Sequence, residues 1–173
     1  MIRRPDSRLI RPLAMVCGLL TACVLGACWQ NPTMTKAELR NTQEYAPYRQ
    51  SGNSVIEGQV ALQLPSGQQL YGGNCQVRLL PVSTDTTQYI NSVVLPGAVS
   101  GPRKELESVS WIAQADSLGR FRFTQLPAGS YYLTCPIAWM QNGKTRQGIA
   151  WAQTSVGANE RVSVTVTRGT AQP

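Results

Sequence analysis

The sequence predicts an all-β fold, a sandwich of about seven strands spanning residues 54–168. Three observations lead there. Apolar residues alternate with polar ones in short runs, Gly, Pro and Asn signals separate the runs, and helical periodicity is nearly absent.

The elements follow in order. Ile56, Gly58, Val60, Leu62 and Leu64 alternate with Glu57, Gln59, Ala61 and Gln63, as in a half-buried strand. Pro65-Ser66-Gly67 turns the chain and Gly72-Gly73 bends it, after which Cys75, Val77 and Leu79 form one face of a second strand that Pro81 ends. Residues 109–115 are a third strand. Asp116-Ser117-Leu118-Gly119 is a turn leading to Phe121 and Phe123, which flank Arg122. After a turn at Leu126-Pro127-Ala128-Gly129, Tyr131, Leu133, Cys135 and Ile137 share a strand face. Asn142-Gly143 is a two-residue hairpin turn that folds 137–141 against 144–151 and sets Trp139 opposite Arg146. Val162, Val164 and Val166 make the last strand. The stretch 83–108 fits no strand and is expected to be a long irregular loop.

The N-terminus has a different character. Arg3, Arg4, Arg8 and Arg11 precede an uncharged, mostly apolar run at 13–27, too short to span a bilayer comfortably and matching the apolar core of an export signal. It ends in Leu25-Gly26-Ala27-Cys28, which resembles the bacterial lipobox; Leu20-Thr21-Ala22-Cys23 fits the same pattern. Cys28 is preferred as the lipidated residue, because polar Gln30, Asn31 and Thr33 begin right after it. The predicted organisation is a signal peptide at 1–27, a flexible tether at 28–53 containing Pro32 and Pro47, the sandwich at 54–168 and a tail at 169–173. The tether can hold one short helix at 35–43. Trp29 stands where an aspartate would resemble an inner-membrane retention signal. The expected location is therefore the outer membrane, lipid-anchored at its periplasmic face or the cell surface.

Sixteen Lys and Arg face nine Asp and Glu in the whole chain. Four of those bases and the acid Asp6 precede Cys28, so twelve bases face eight acids afterwards. The bases are scattered, and no basic stripe marks a nucleic-acid surface. With no histidine, Ser-His-Asp and Cys-His machinery is excluded, and a zinc site is poorly supported. Glycine-rich phosphate loops, Cys-x-x-Cys pairs and clustered acids are missing as well. The expectation is a non-enzymatic protein with no cofactor. If Cys17 and Cys23 leave with the signal and Cys28 is lipidated, Cys75 and Cys135 remain, either as one disulfide or as two separate buried thiols.

Residues 114–133, with the run Asp116-Ser117-Leu118-Gly119-Arg120-Phe121-Arg122-Phe123 followed by Leu126-Pro127-Ala128-Gly129-Ser130-Tyr131, resemble the carboxypeptidase regulatory-like domain. That family has a transthyretin-like (prealbumin-like) β-sandwich, and the likeness covers about residues 54–168. It implies the fold and says little about activity. Its members are usually non-catalytic accessory, adhesive or envelope-assembly modules, and some type VI secretion lipoproteins share the fold. The resemblance also implies that the strands carrying Cys75 and Cys135 are neighbours in one sheet, so that their sulfurs can meet.

Two functions stay open from the sequence. One is a structural or interaction lipoprotein that docks envelope or secretion-system proteins. The other is a glycan- or peptidoglycan-binding module, with Tyr89, Trp139 and Trp151 as its contacts. Trp111, Trp139 and Trp151 could form a sugar-binding platform, but core and sheet-face packing is the favoured reading, being the commoner use of large aromatics in a small β domain.

Overall fold

The computed structural model describes residues 42–64, 66–98 and 100–171. The lipidation site at Cys28, the signal and the helix expected at 35–43 lie outside the described residues or, for its last two positions, at their margin. Among the described residues, no helix is long and apolar enough to cross a membrane.

Two sheets form a sandwich. The first contains β1 (Ser54–Gln63), β2 (Gln69–Tyr71), β5 (Arg120–Leu126) and β8 (Arg161–Val166). β1 is its hub, antiparallel to β2 and β5 and parallel to β8. The second sheet runs β4 (Trp111–Gln114), β3 (Gln76–Pro81), β6 (Gly129–Gln141), β7 (Lys144–Val156) and β9 (Arg168–Ala171) in spatial order 4-3-6-7-9. Short β2 and β9 are additional to the seven strands expected, and β9 pairs with β7 where a C-terminal tail was predicted.

The core lies where period-2 alternation puts it. Ile56, Val60 and Leu62 of β1, Phe121 and Phe123 of β5, and Val77 and Leu79 of β3 meet Tyr131, Leu133, Cys135 and Ile137 of β6. Asn142 and Gly143 both have positive φ, 51° and 73°, as the tight right-twisting turn between β6 and β7 requires. Trp139 then pairs with Arg146, in the expected register. Cys75, just ahead of β3, is bonded to Cys135 of β6, and β3 and β6 are neighbours in one sheet.

The stretch 83–108 corrects the sequence reading. It holds helix α1 (Thr84–Tyr89), a π-helical turn (Ile90–Val94) and a short helix α2 (Lys104–Glu107). Ser83 and Thr86 form a reciprocal capping box at the start of α1. Tyr89, Ile90, Val94 and Leu106 pack on Leu80, Tyr132 and Ile149, which point outward from β3, β6 and β7. The middle of the second sheet is thus covered on both faces, and residues 131–135 of β6 are all buried.

The tether prediction is corrected as well. Residues 42–51 form a strap that packs on the sandwich through a 3₁₀ turn (Gln43–Tyr48). Tyr45 is 2% exposed, and its hydroxyl lies 2.6 Å from Ser83 Oγ. The Glu44 carboxylate accepts from the backbone N–H and the hydroxyl of Thr84, at 2.8 and 2.6 Å. Those bonds hold the carboxyl below its usual range. Tyr48 Oη donates to Ser130 O and accepts from Ser130 N. Gly129 owes its identity to this strap: φ is not positive there, but a Cβ would stand 2.5 Å from Tyr48 Cε1.

Candidate functional site

The strap, the turn ahead of β4 and the β5–β6 junction enclose a cleft of about 500 Å³, within the size range of small-ligand sites. Three aromatic rings build its floor. Tyr131 is fully buried and donates to Pro127 O at 2.7 Å. Tyr48 and Trp111 each meet the Tyr131 ring edge-on, with centroids 5.3 and 5.7 Å away. Tyr48 and half-buried Trp111 line the cleft itself.

Polar groups surround this floor: Arg49, Gln50, Ser51, Ser108, Ser110 and Gln125. The two serines are held in place, Ser108 Oγ donating to Glu105 O, and Ser110 Oγ accepting from Arg78 Nη1 while donating to Glu107 O. No lining residue is acidic, and Arg49 is the only basic one. Burial pushes the Tyr45, Tyr48 and Tyr131 hydroxyls above their ordinary range, Tyr131 furthest. All three are neutral hydrogen-bonding groups at physiological pH.

Gln125 occupies an unusual position. The pairing of β1 with β5 slips between Ser54↔Leu126 and Ile56↔Phe123, leaving an extra residue on β5. Gln125 takes φ +58°, the left-handed region that costs a residue with a side chain on the order of 1 kcal/mol. Gly52 N–H donating to Gln125 O, at 3.1 Å, holds the bulge. Bulges of this kind re-aim side chains beside binding sites; here the bulge sets Gln125 in the cleft wall.

A broader depression of about 770 Å³ on the outer face of the first sheet is less suited to a ligand. Its charges are matched to one another, Arg120 with Asp116 at 2.7 Å and Arg122 with Glu57 at 3.6 Å. Among the described residues, no group of three or more His, Cys, Asp or Glu could hold a metal ion.

The aromatic residues expected to contact glycan do not converge. Tyr89 is buried in the outer cluster and donates to Ser100 O, and Trp151 packs against the same cluster. Trp139 packs on the other face of the sheet, against the sandwich core. This separation follows from the hairpin register, which puts Trp151 opposite Thr134 and Trp139 in step with Ile137. Trp111 is the tryptophan that reaches a cleft. Tyr48 and Gln125 carried no local signal, since one stood in a polar segment and the other in an ordinary strand end.

Fold and cleft together define a two-sheet β-sandwich with an aromatic-floored polar cavity, lined by one arginine, at one end. No protein-family profile matches the chain, and no curated protein matches it. The chain is similar to a solved structure described as a "putative carbohydrate binding protein" from Pseudomonas aeruginosa. The two are 27% identical, the match covers 72% of this chain and 94% of that one, and the TM-score is 0.61. A second similar structure, (S)-allantoin synthase, is 9% identical over 70% of this chain and 44% of that one, with a TM-score of 0.31 that carries no argument.

Proposed function

We propose that this protein is a non-catalytic glycan-binding lipoprotein of the cell envelope, using the cleft at Tyr48, Trp111 and Gln125. The observation that carries this reading is the composition of the cleft: an indole and a phenol for the apolar face of a sugar, ringed by hydroxyl and amide groups for its hydroxyls. The similar P. aeruginosa structure, described as a "putative carbohydrate binding protein", points the same way. Export and attachment through a diacylglycerol on Cys28, outer-membrane sorting and a transthyretin-like ancestry complete the proposal. Each rests on the sequence motifs above.

Two experiments test it. Intact-mass analysis of protein extracted from the envelope should place the lipid adduct on Cys28; an adduct on Cys23 would move the anchor. On a glycan array, the detergent-solubilised full chain should bind saturably. Trp111→Ala should bind about tenfold more weakly or worse, the effect of losing about 1.4 kcal/mol of contact. Gln125→Gly is the sharper variant, since glycine accepts the left-handed backbone without strain. It should fold at least as stably and still bind more weakly. No glycan binding, together with cross-links from strap residues to an envelope or secretion-machinery protein, would replace this reading by protein docking.

A further inference from the structure

The end of the sandwich away from the cleft carries two buried donors without acceptors. β6 and β7 pair along all thirteen residues of each. Among the described residues, β3 pairs with β6 over 131–134 and β9 pairs with β7 over 148–151. The pairs from Ala138↔Gln147 to Gln141↔Lys144 extend past those described pairings as a hairpin arm. At about 3.4 Å per residue, Trp139 stands roughly 30 Å along β6 from the cleft end.

This arm is charged in one sense. The sequence has no Asp or Glu from 117 to 159, and the arm's cations are exposed Lys144 and half-buried Arg146. Arg78, Arg103, Arg120 and Arg122 each have a carboxylate within 4 Å, whereas Arg146 has none among the described residues. Arg146 faces Trp139 directly across the hairpin. The Nε–H of Arg146 and the indole Nε1–H of Trp139 are both buried without an acceptor. Two orphan donors on residues that face each other across the hairpin, one of them on a cation, call for an anionic acceptor with two oxygens.

We propose that Trp139 and Arg146 form a second binding site, for the carboxylate of an acidic sugar, with Lys144 adding attraction at its open side. A carboxylate supplies one oxygen to each donor and one negative charge to the single guanidinium, while the indole offers the sugar ring an apolar face. For a carboxylate to reach both buried N–H groups, the half-buried Arg146 side chain must change rotamer at the rim. Only the choice of a sugar as carrier rests on the glycan reading above; the choice of a carboxylate does not.

The test titrates the full-length, detergent-solubilised protein with oligogalacturonate, and with a neutral glucose oligomer of equal length, following the Trp139 indole N–H by NMR. Oligogalacturonate should shift that resonance saturably and the neutral oligomer should not. Arg146→Gln and Trp139→Phe should each weaken binding about tenfold or more. Should either variant fail to fold, the indole shift in the unaltered protein and the weaker effect of Lys144→Gln decide. An unmoved indole resonance, or Arg146→Gln binding as tightly as the parent, overturns the site. Equal binding of poly-glutamate overturns the sugar as carrier, and Arg146-dependent binding of anionic phospholipid vesicles in its place overturns the carboxylate. Neutral sugars bound at the cleft without acidic ones at the arm would sink this site alone. The converse would sink only the cleft reading.

Discussion

Phe121→Ala and Phe123→Ala should each lower the stability of the domain by about 3–5 kcal/mol, the usual cost of truncating a buried phenylalanine. Both rings are 5% exposed on the inner face of β5, and they meet edge-on with centroids 5.9 Å apart. Phe121 also reaches the space above Gly58, with its Cζ 3.2 Å from where a Cβ there would be. The facing core is occupied by Tyr131, Leu133 and Ile137 from the second sheet, so truncation of either ring leaves a cavity. Since the two rings touch, the double variant should lose less than the sum of the single losses. Denaturant unfolding followed by tryptophan fluorescence measures each value. Losses near zero for both would mean that β5 does not present these residues to the core.

Loss of the Cys75–Cys135 bridge should cost about 4 kcal/mol in the chain-entropy account of cross-links. The two cysteines are 60 residues apart in sequence, so the bridge removes much of the freedom of the unfolded chain. That closed loop contains the whole helical cap as well as β3, β4 and β5. Cys135 is fully buried, so an alanine pair at 75 and 135 is a cleaner test than serine, which would leave a hydroxyl in the core. The alanine pair should unfold at markedly lower denaturant, and the cap should exchange its amide protons faster. Protein taken from the envelope and denatured without reductant should resist alkylation. Two alkylated cysteines in that sample would show that no bridge forms.

The strands were legible wherever one residue in two faces the core. Ile56, Val60 and Leu62, Phe121 and Phe123, and Tyr131 through Ile137 each announce a face by parity alone. The hairpin turn was legible because Asn142-Gly143 suits two consecutive positive φ values. Even the separation of Trp139 from Trp151 was available, since that turn sets the register of the whole arm. The turn at Asp116 was readable for the same local reason: its carboxylate accepts from Arg120 N, Arg120 Nε and Leu118 N, bonds that hold its carboxyl below the usual range.

The helical cap was harder. Thr84–Tyr89 is poor in strong helix formers, and the spacing of Tyr89, Ile90, Val93 and Val94 is a helical face only if an apolar surface waits beneath it. That surface, made by Leu80, Tyr132 and Ile149, exists only once β3, β6 and β7 have paired.

Local rules therefore settle the all-β class, the order of the major strands and the positions of the two cysteines, because alternation and turn chemistry act over a few neighbouring residues. The cleft arises from contacts between distant segments. Tyr48 reaches Ser130 across 82 positions, Trp111 is oriented by Tyr131, and Gln125 is forced into the left-handed region by a register slip against β1. Such contacts leave no pattern in a short window of sequence, since each residue's role is set by whichever element the folded chain brings against it.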